Sequence, residues 1–150
     1  MDRPSWDRYF LDIAIAVSKR STCIRRHYGA VIVKDNKIIS TGYNGAARGI
    51  PNCCDTGTCI RQQMNIPSGE RYDLCLGTPT HAEMNAIING DPEKMKGSTI
   101  YIAGIDLEHP ENEYANSKPC KMCSRVIKNA LIKKIVYMDN IGTLYKEDIN

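Results

Sequence analysis

Apolar residues recur at helical spacing between positions 7 and 20. Tyr9, Phe10, Ile13, Ala14, Ala16 and Val17 carry the pattern, with Asp7, Asp12 and Lys19 interspersed. This predicts a first helix. The period then shortens. Gly29-Ala30-Val31-Ile32-Val33 is largely β-branched, Asp35-Asn36 is a polar pair, and a second run covers 37–43. Two such runs across a tight polar turn predict a β-hairpin. Thr80 is a suitable N-cap for a helix over 81–88 that ends near Gly90. Further strands are predicted over 98–103 and 134–138, a helix begun by Pro119 over 120–131, and an edge strand near Thr143-Leu144-Tyr145. The order αββαβαβ predicts one mixed sheet with helices on its faces.

Residues 44–79 break the pattern. They hold Gly45, Gly49, Pro51, Gly57, Pro67, Gly69, Gly77 and Pro79, together with Cys53, Cys54, Cys59 and Cys75. A loop this long within a compact domain needs something to order it, and a metal is the obvious candidate. A short helix is expected over 61–65. The stretch 104–118 is acidic and polar, with Asp106, Glu108, Glu111 and Glu113, and is expected to be a hairpin or loop.

A length of 150 residues suits a single domain, here 1–150 with a Cys-rich insert at about 44–79. The N-terminal stretch Met1-Asp2-Arg3-Pro4 is polar, with no signal-peptide core and no apolar run long enough to span a bilayer, so a cytoplasmic location without membrane association is expected. Net charge is only +3, too slight to suggest a nucleic-acid partner. The short basic cluster Lys19-Arg20 with Arg25-Arg26 reads equally well as a solvated face. The seven cysteines change the picture more. An odd number, two of them in Cys-x-x-Cys, favours metal ligation over a disulfide framework.

His81-Ala82-Glu83 and Pro119-Cys120-Lys121-Met122-Cys123 carry the chemistry. One imidazole and two thiolates leave a tetrahedral zinc one open position, as catalysis requires. Cys120 and Cys123 fall three apart at a helix start, where the dipole favours thiolates. Glu83 follows His81 within the same first turn. It can enter the site without ligating the metal and shuttle a proton from water to a base. A His-x-Glu alone is common, and a Cys-x-x-Cys alone can be redox-active or structural. Together, about 40 residues apart and each at a helix start, they match the pattern of hydrolytic zinc deaminases.

Further segments extend the match. They are Ser21-Thr22-Cys23-Ile24-Arg25-Arg26 running into Gly29–Val33; Thr41-Gly42-Tyr43-Asn44-Gly45; Ile66-Pro67-Ser68-Gly69-Glu70-Arg71; and His81-Ala82-Glu83-Met84-Asn85-Ala86-Ile87. On these the chain resembles the deoxycytidylate deaminase family of the cytidine deaminase superfold over roughly residues 5–139. The resemblance implies a three-layer α/β/α sandwich with a central mixed sheet of four to five strands, and hydrolysis of dCMP to dUMP and ammonia. It implies a catalytic zinc on His81, Cys120 and Cys123, with Glu83 as proton carrier. Asn44 would bind the sugar hydroxyl, although a plain turn residue beside Gly45 is the other reading. The Ala82 amide would meet the pyrimidine O2, and Arg25 and Arg26 could reach the 5′-phosphate. A second, structural zinc would use Cys23, Cys53, Cys59 and Cys75, leaving Cys54 over; ordinary buried cysteines are the alternative. The expected partners are a nucleotide substrate and further copies of the chain.

The chain departs from the family pattern at Ala47, where relatives carry Pro, in a longer 104–118 stretch, and in its end soon after the fourth strand. Other substrates (cytidine, cytosine, guanine or a tRNA adenosine) form one competing class. A non-catalytic zinc-bound competence-type module forms another, which Glu83 argues against, since a structural site needs no carboxylate beside it.

Overall fold

A computed structural model describes residues 2–67, 69–74 and 81–149. Helix α1 (Trp6–Ser18) starts at Ser5, whose hydroxyl accepts a hydrogen bond from the Arg8 amide at 3.1 Å. Strands β1 (Arg26–Lys34) and β2 (Lys37–Tyr43) form the expected hairpin. Its turn residues Asp35 and Asn36 have φ of 52° and 59°, the left-handed pair that a two-residue turn between right-twisted strands requires. Strand β3 (Thr99–Asp106) pairs antiparallel with β1, and β4 (Lys134–Met138) lies parallel to β3. Strand β5 (Leu144–Asp148) closes the edge antiparallel to β4. The mixed sheet is therefore five-stranded, in the order β2-β1-β3-β4-β5.

Period-two alternation along the inner strands builds two cores. Val31, Val33, Tyr101, Ala103, Val136 and Met138 face α1 and meet its Phe10, Leu11 and Ala14. Ala30, Ile32, Ile100, Ile102, Ile135 and Tyr137 line the opposite face. There they meet helix α4 (Ala82–Asn89) through Ala82 and Ala86, and helix α6 (Lys121–Asn129) through Ile127. Burying a side chain of this size stabilises the fold by roughly 1.5–3 kcal/mol. Helices on both faces give the expected three-layer α/β/α sandwich.

Three short helices lie beyond the predicted set or its bounds: α2 (Cys53–Thr56), α3 (Ile60–Gln63) and α5 (Pro92–Met95). A single 3₁₀ turn spans Tyr72–Leu74. The N-cap of α4 is His81 rather than Thr80, which lies outside the described residues. His81 takes the extended backbone of a cap but makes no capping hydrogen bond with its side chain. Among the described residues no helix is long and apolar enough to cross a membrane.

Close approach of β2 to α4 sets the position of α4. A Cβ on Gly42 would run into the backbone of α4 at Ala86 N and at Ala82 O. Gly42→Ala should therefore push α4 off the sheet and destabilise the protein by about 1–3 kcal/mol, as overpacking does. Thermal melts and zinc content should fall together. A variant that keeps both would show that α4 has slack.

Candidate active site

Two helix starts meet on one side of the sheet. His81 caps α4 and Cys120 caps α6, with Cys123 in the first turn of α6. The Cys120 thiol takes the place usually held by a capping oxygen and accepts a hydrogen bond from the Cys123 amide at 3.4 Å. His81 Nδ1 lies 3.1 Å from Cys123 Sγ and 3.6 Å from Cys120 Sγ. The three ligand atoms fall within 4.8 Å of one another. With metal bonds of about 2.0–2.3 Å, tetrahedral zinc spaces nitrogen and sulfur ligands about 3.5–3.8 Å apart, so the arrangement fits that ion.

Electrostatics point the same way. Burial pushes the Cys123 thiol well above its ordinary pKa, and the nearby charges of Glu83 and Cys120 add to the shift. Burial also lowers the pKa of His81; Glu83 opposes that shift and Arg61 supports it. The imidazole is thus held in its neutral, ligating form, while thiolates here call for a cation. Glu83, the second residue of α4, is only 6% exposed.

The cleft beside these groups is lined by Glu83, Ala82, Asn44 and Tyr28, and by the basic side chains Arg25, Arg26, Arg61 and Lys118. Most of the residues expected at the site are therefore brought together. Asn44 sits at the end of β2 and ties it to β1. Its Oδ1 accepts from the Tyr28 amide at 2.8 Å, and its Nδ2 donates to the Arg26 carbonyl at 3.0 Å. Asn44 is thus an organiser of the cleft wall as well as a lining residue. Ala82 is the first residue of α4, where backbone amides have no partner within the helix. Arg25 Nε donates to Glu108 at 2.9 Å, while Arg26 lies 3.6 Å from Asp106 and 3.5 Å from Glu108.

The remaining cysteines are less closely grouped. Cys23 and Cys59 are buried, Cys53 is partly buried and Cys54 is exposed. The Arg25 amide donates to Cys23 Sγ at 3.4 Å. Among the described residues these cysteines do not form a second three-ligand group. Cys75 lies outside the described residues. Arg61 and Tyr28 were not expected in the cleft, while Lys118 comes from the 104–118 stretch. Arg61 belongs to the predicted short helix, but neither period nor motif marks its side chain as inward-facing. The acidic 104–118 stretch was the one available signal for Glu108.

An α/β/α sandwich that joins a histidine and two cysteines at two helix starts, beside a buried glutamate, is the cytidine-deaminase-like architecture. The family model for the cytidine and deoxycytidylate deaminase zinc-binding region matches residues 4–139, and the chain belongs to that family. It is 37% identical to the deoxycytidylate deaminase of Mycobacterium phage D29 over 142 residues, which cover 91% of this chain and 97% of the relative. It is 38% identical to the deoxycytidylate deaminase of Schizosaccharomyces pombe over 135 residues, 90% of this chain but 37% of that relative. The crystal structure of a dCMP deaminase from the cyanophage S-TIM5, in complex with dCMP and dUMP, superposes with a TM-score of 0.59. It is 25% identical, and the match covers 93% of this chain and 85% of that one.

Loss of one ligand should empty the metal site without unfolding the sheet. Cys120→Ala is expected to lose one zinc ion per chain by elemental analysis and to keep a cooperative melt. Full zinc retention would exclude Cys120 as a ligand.

Proposed function

We propose that this protein hydrolyses dCMP to dUMP and ammonia, using zinc held by His81, Cys120 and Cys123. The observation that carries the reading is Glu83, a carboxylate 6% exposed in the turn that follows His81, lining a cleft with four basic side chains. The phage and yeast relatives named above support the choice of substrate.

Zinc bound to this ligand set supplies Lewis-acid activation of water and stabilises developing negative charge. Everything else falls to the chain. Glu83 accepts a proton from the attacking water and delivers it to N3 of the cytosine ring. Water's oxygen bonds to C4, and the C4–N bond then breaks. The second water proton reaches the departing amine through the same carboxylate, so water and dCMP become dUMP and ammonia. Exclusion of bulk water around Glu83 strengthens each of these interactions. The Ala82 amide orients the pyrimidine O2 and Asn44 the sugar hydroxyl. Arg25 and Arg26 receive the phosphate, which suits their planar forks of donors.

A second zinc on Cys23, Cys53, Cys59 and Cys75 is part of this reading. The burial of Cys23 and Cys59 and the exposure of Cys54 support it. The protein acts in the cytoplasm as a homo-oligomer in the same reading, and exposed Ile88 and Ile141 supply apolar surface for association.

Ammonia release should be greatest with dCMP in a panel that also holds CMP, deoxycytidine, cytidine, cytosine and guanine. Glu83→Gln is expected to keep zinc and nucleotide binding yet lose about a thousandfold or more in turnover. A loss below about tenfold would remove Glu83 from proton transfer. Elemental analysis should find two zinc ions per chain, one of them lost in Cys59→Ser together with thermal stability. A single ion in the wild type would return the insert cysteines to ordinary packing.

A further inference from the structure

The segment after β3 makes a tight turn with one carboxylate at its centre. Asp106 Oδ1 accepts the amides of Glu108 and His109 at 3.0 and 3.2 Å, and Oδ2 lies 3.0 Å from His109 Nδ1. The Leu107 amide donates to the Arg25 carbonyl at 3.0 Å. This turn directs Glu108 towards the cleft arginines. Its Oε1 accepts from Arg25 Nε at 2.9 Å and lies 3.5 Å from Arg26 Nη1. The Arg25 guanidinium also sits beside Cys59, at the start of α3. Glu108 thus joins two segments that are distant in sequence: the start of β1 and the turn after β3.

We propose that Glu108 is a positioning residue that holds Arg25 and Arg26 against the cleft and so sets the preference for a phosphorylated substrate over the bare nucleoside. The proposal rests on the nucleotide reading of this cleft. Glu108 takes the Nε–H of Arg25 and leaves other donors of the fork for an oxyanion. Arginine side chains have many rotamers, and a guanidinium held in place beforehand loses less freedom when phosphate arrives. The burial of the arrangement fits this role. Arg25 is 6% exposed, and the Glu108 side chain 26%. Burial raises the pKa of Glu108, but Arg25 and Arg26 outweigh it and keep the carboxylate ionised.

Glu108→Gln and Glu108→Ala in the full chain separate position from charge. Glutamine keeps an acceptor at the same length, whereas alanine keeps nothing. The readouts are kcat and KM for dCMP and for deoxycytidine, with calorimetric affinity for both so that binding is read without turnover. Glu108→Ala should lower the dCMP-over-deoxycytidine preference about tenfold or more, mainly through KM and Kd for dCMP, with kcat little changed. Glu108→Gln should stay within about threefold of the wild type. If the alanine variant does not fold, Glu108→Asp, which withdraws the carboxylate by one methylene, should show the same loss in smaller measure. An equal loss on both substrates would make Glu108 mere scaffold and overturn the proposal. Tighter dCMP binding in both variants would make it a charge brake and also overturn it. A wild type with no preference for dCMP, in turnover or in binding, would instead sink the nucleotide reading, and this proposal with it.

Discussion

One imidazole and two thiols, 3.1 and 3.6 Å apart, set the demand that the rest of the structure meets. These groups come from two helices separated by a strand and a long irregular segment. They can meet only if the starts of α4 and α6 are held at one side of the sheet. The sheet does this through its pleat. Ala30, Ile32, Ile100, Ile102 and Ile135 give both helices one continuous apolar floor, while the alternate residues anchor α1 beneath. Gly42 then lets α4 approach closer than any side chain would allow.

The same geometry buries Cys123 and Glu83 together, with His81 and Cys120 half-buried beside them. Cys123 is fully buried and Glu83 nearly so. Burial alone would drive the Cys123 thiol towards its neutral form. A divalent cation reverses that tendency for sulfur, and the neighbouring Arg61 adds positive charge.

Around this centre the second level of order is ionic. Arg25, Arg26, Asp106 and Glu108 form a cluster across the start of β1 and the end of β3. Buried charges of this kind cost solvation, and they persist where each has a partner. From the stretch after β3, Ser117 and Lys118 line the cleft.

The sequence by itself determined the parts governed by short-range rules. Strand alternation in Ala30–Val33 and the left-handed preference of Asp35-Asn36 need only neighbouring residues. Cys120 and Cys123 fall together because three positions make about one helical turn. Tertiary structure alone decided the rest. Glu108 meets Arg25 across 83 residues, and Arg61 turns inward from a helix of four residues too short to carry a period. Asn44 proved to pin β1 to β2, a bond to Tyr28 that no spacing announces. Such contacts depend on the paths that loops take over a finished core, and local pattern carries no record of those paths.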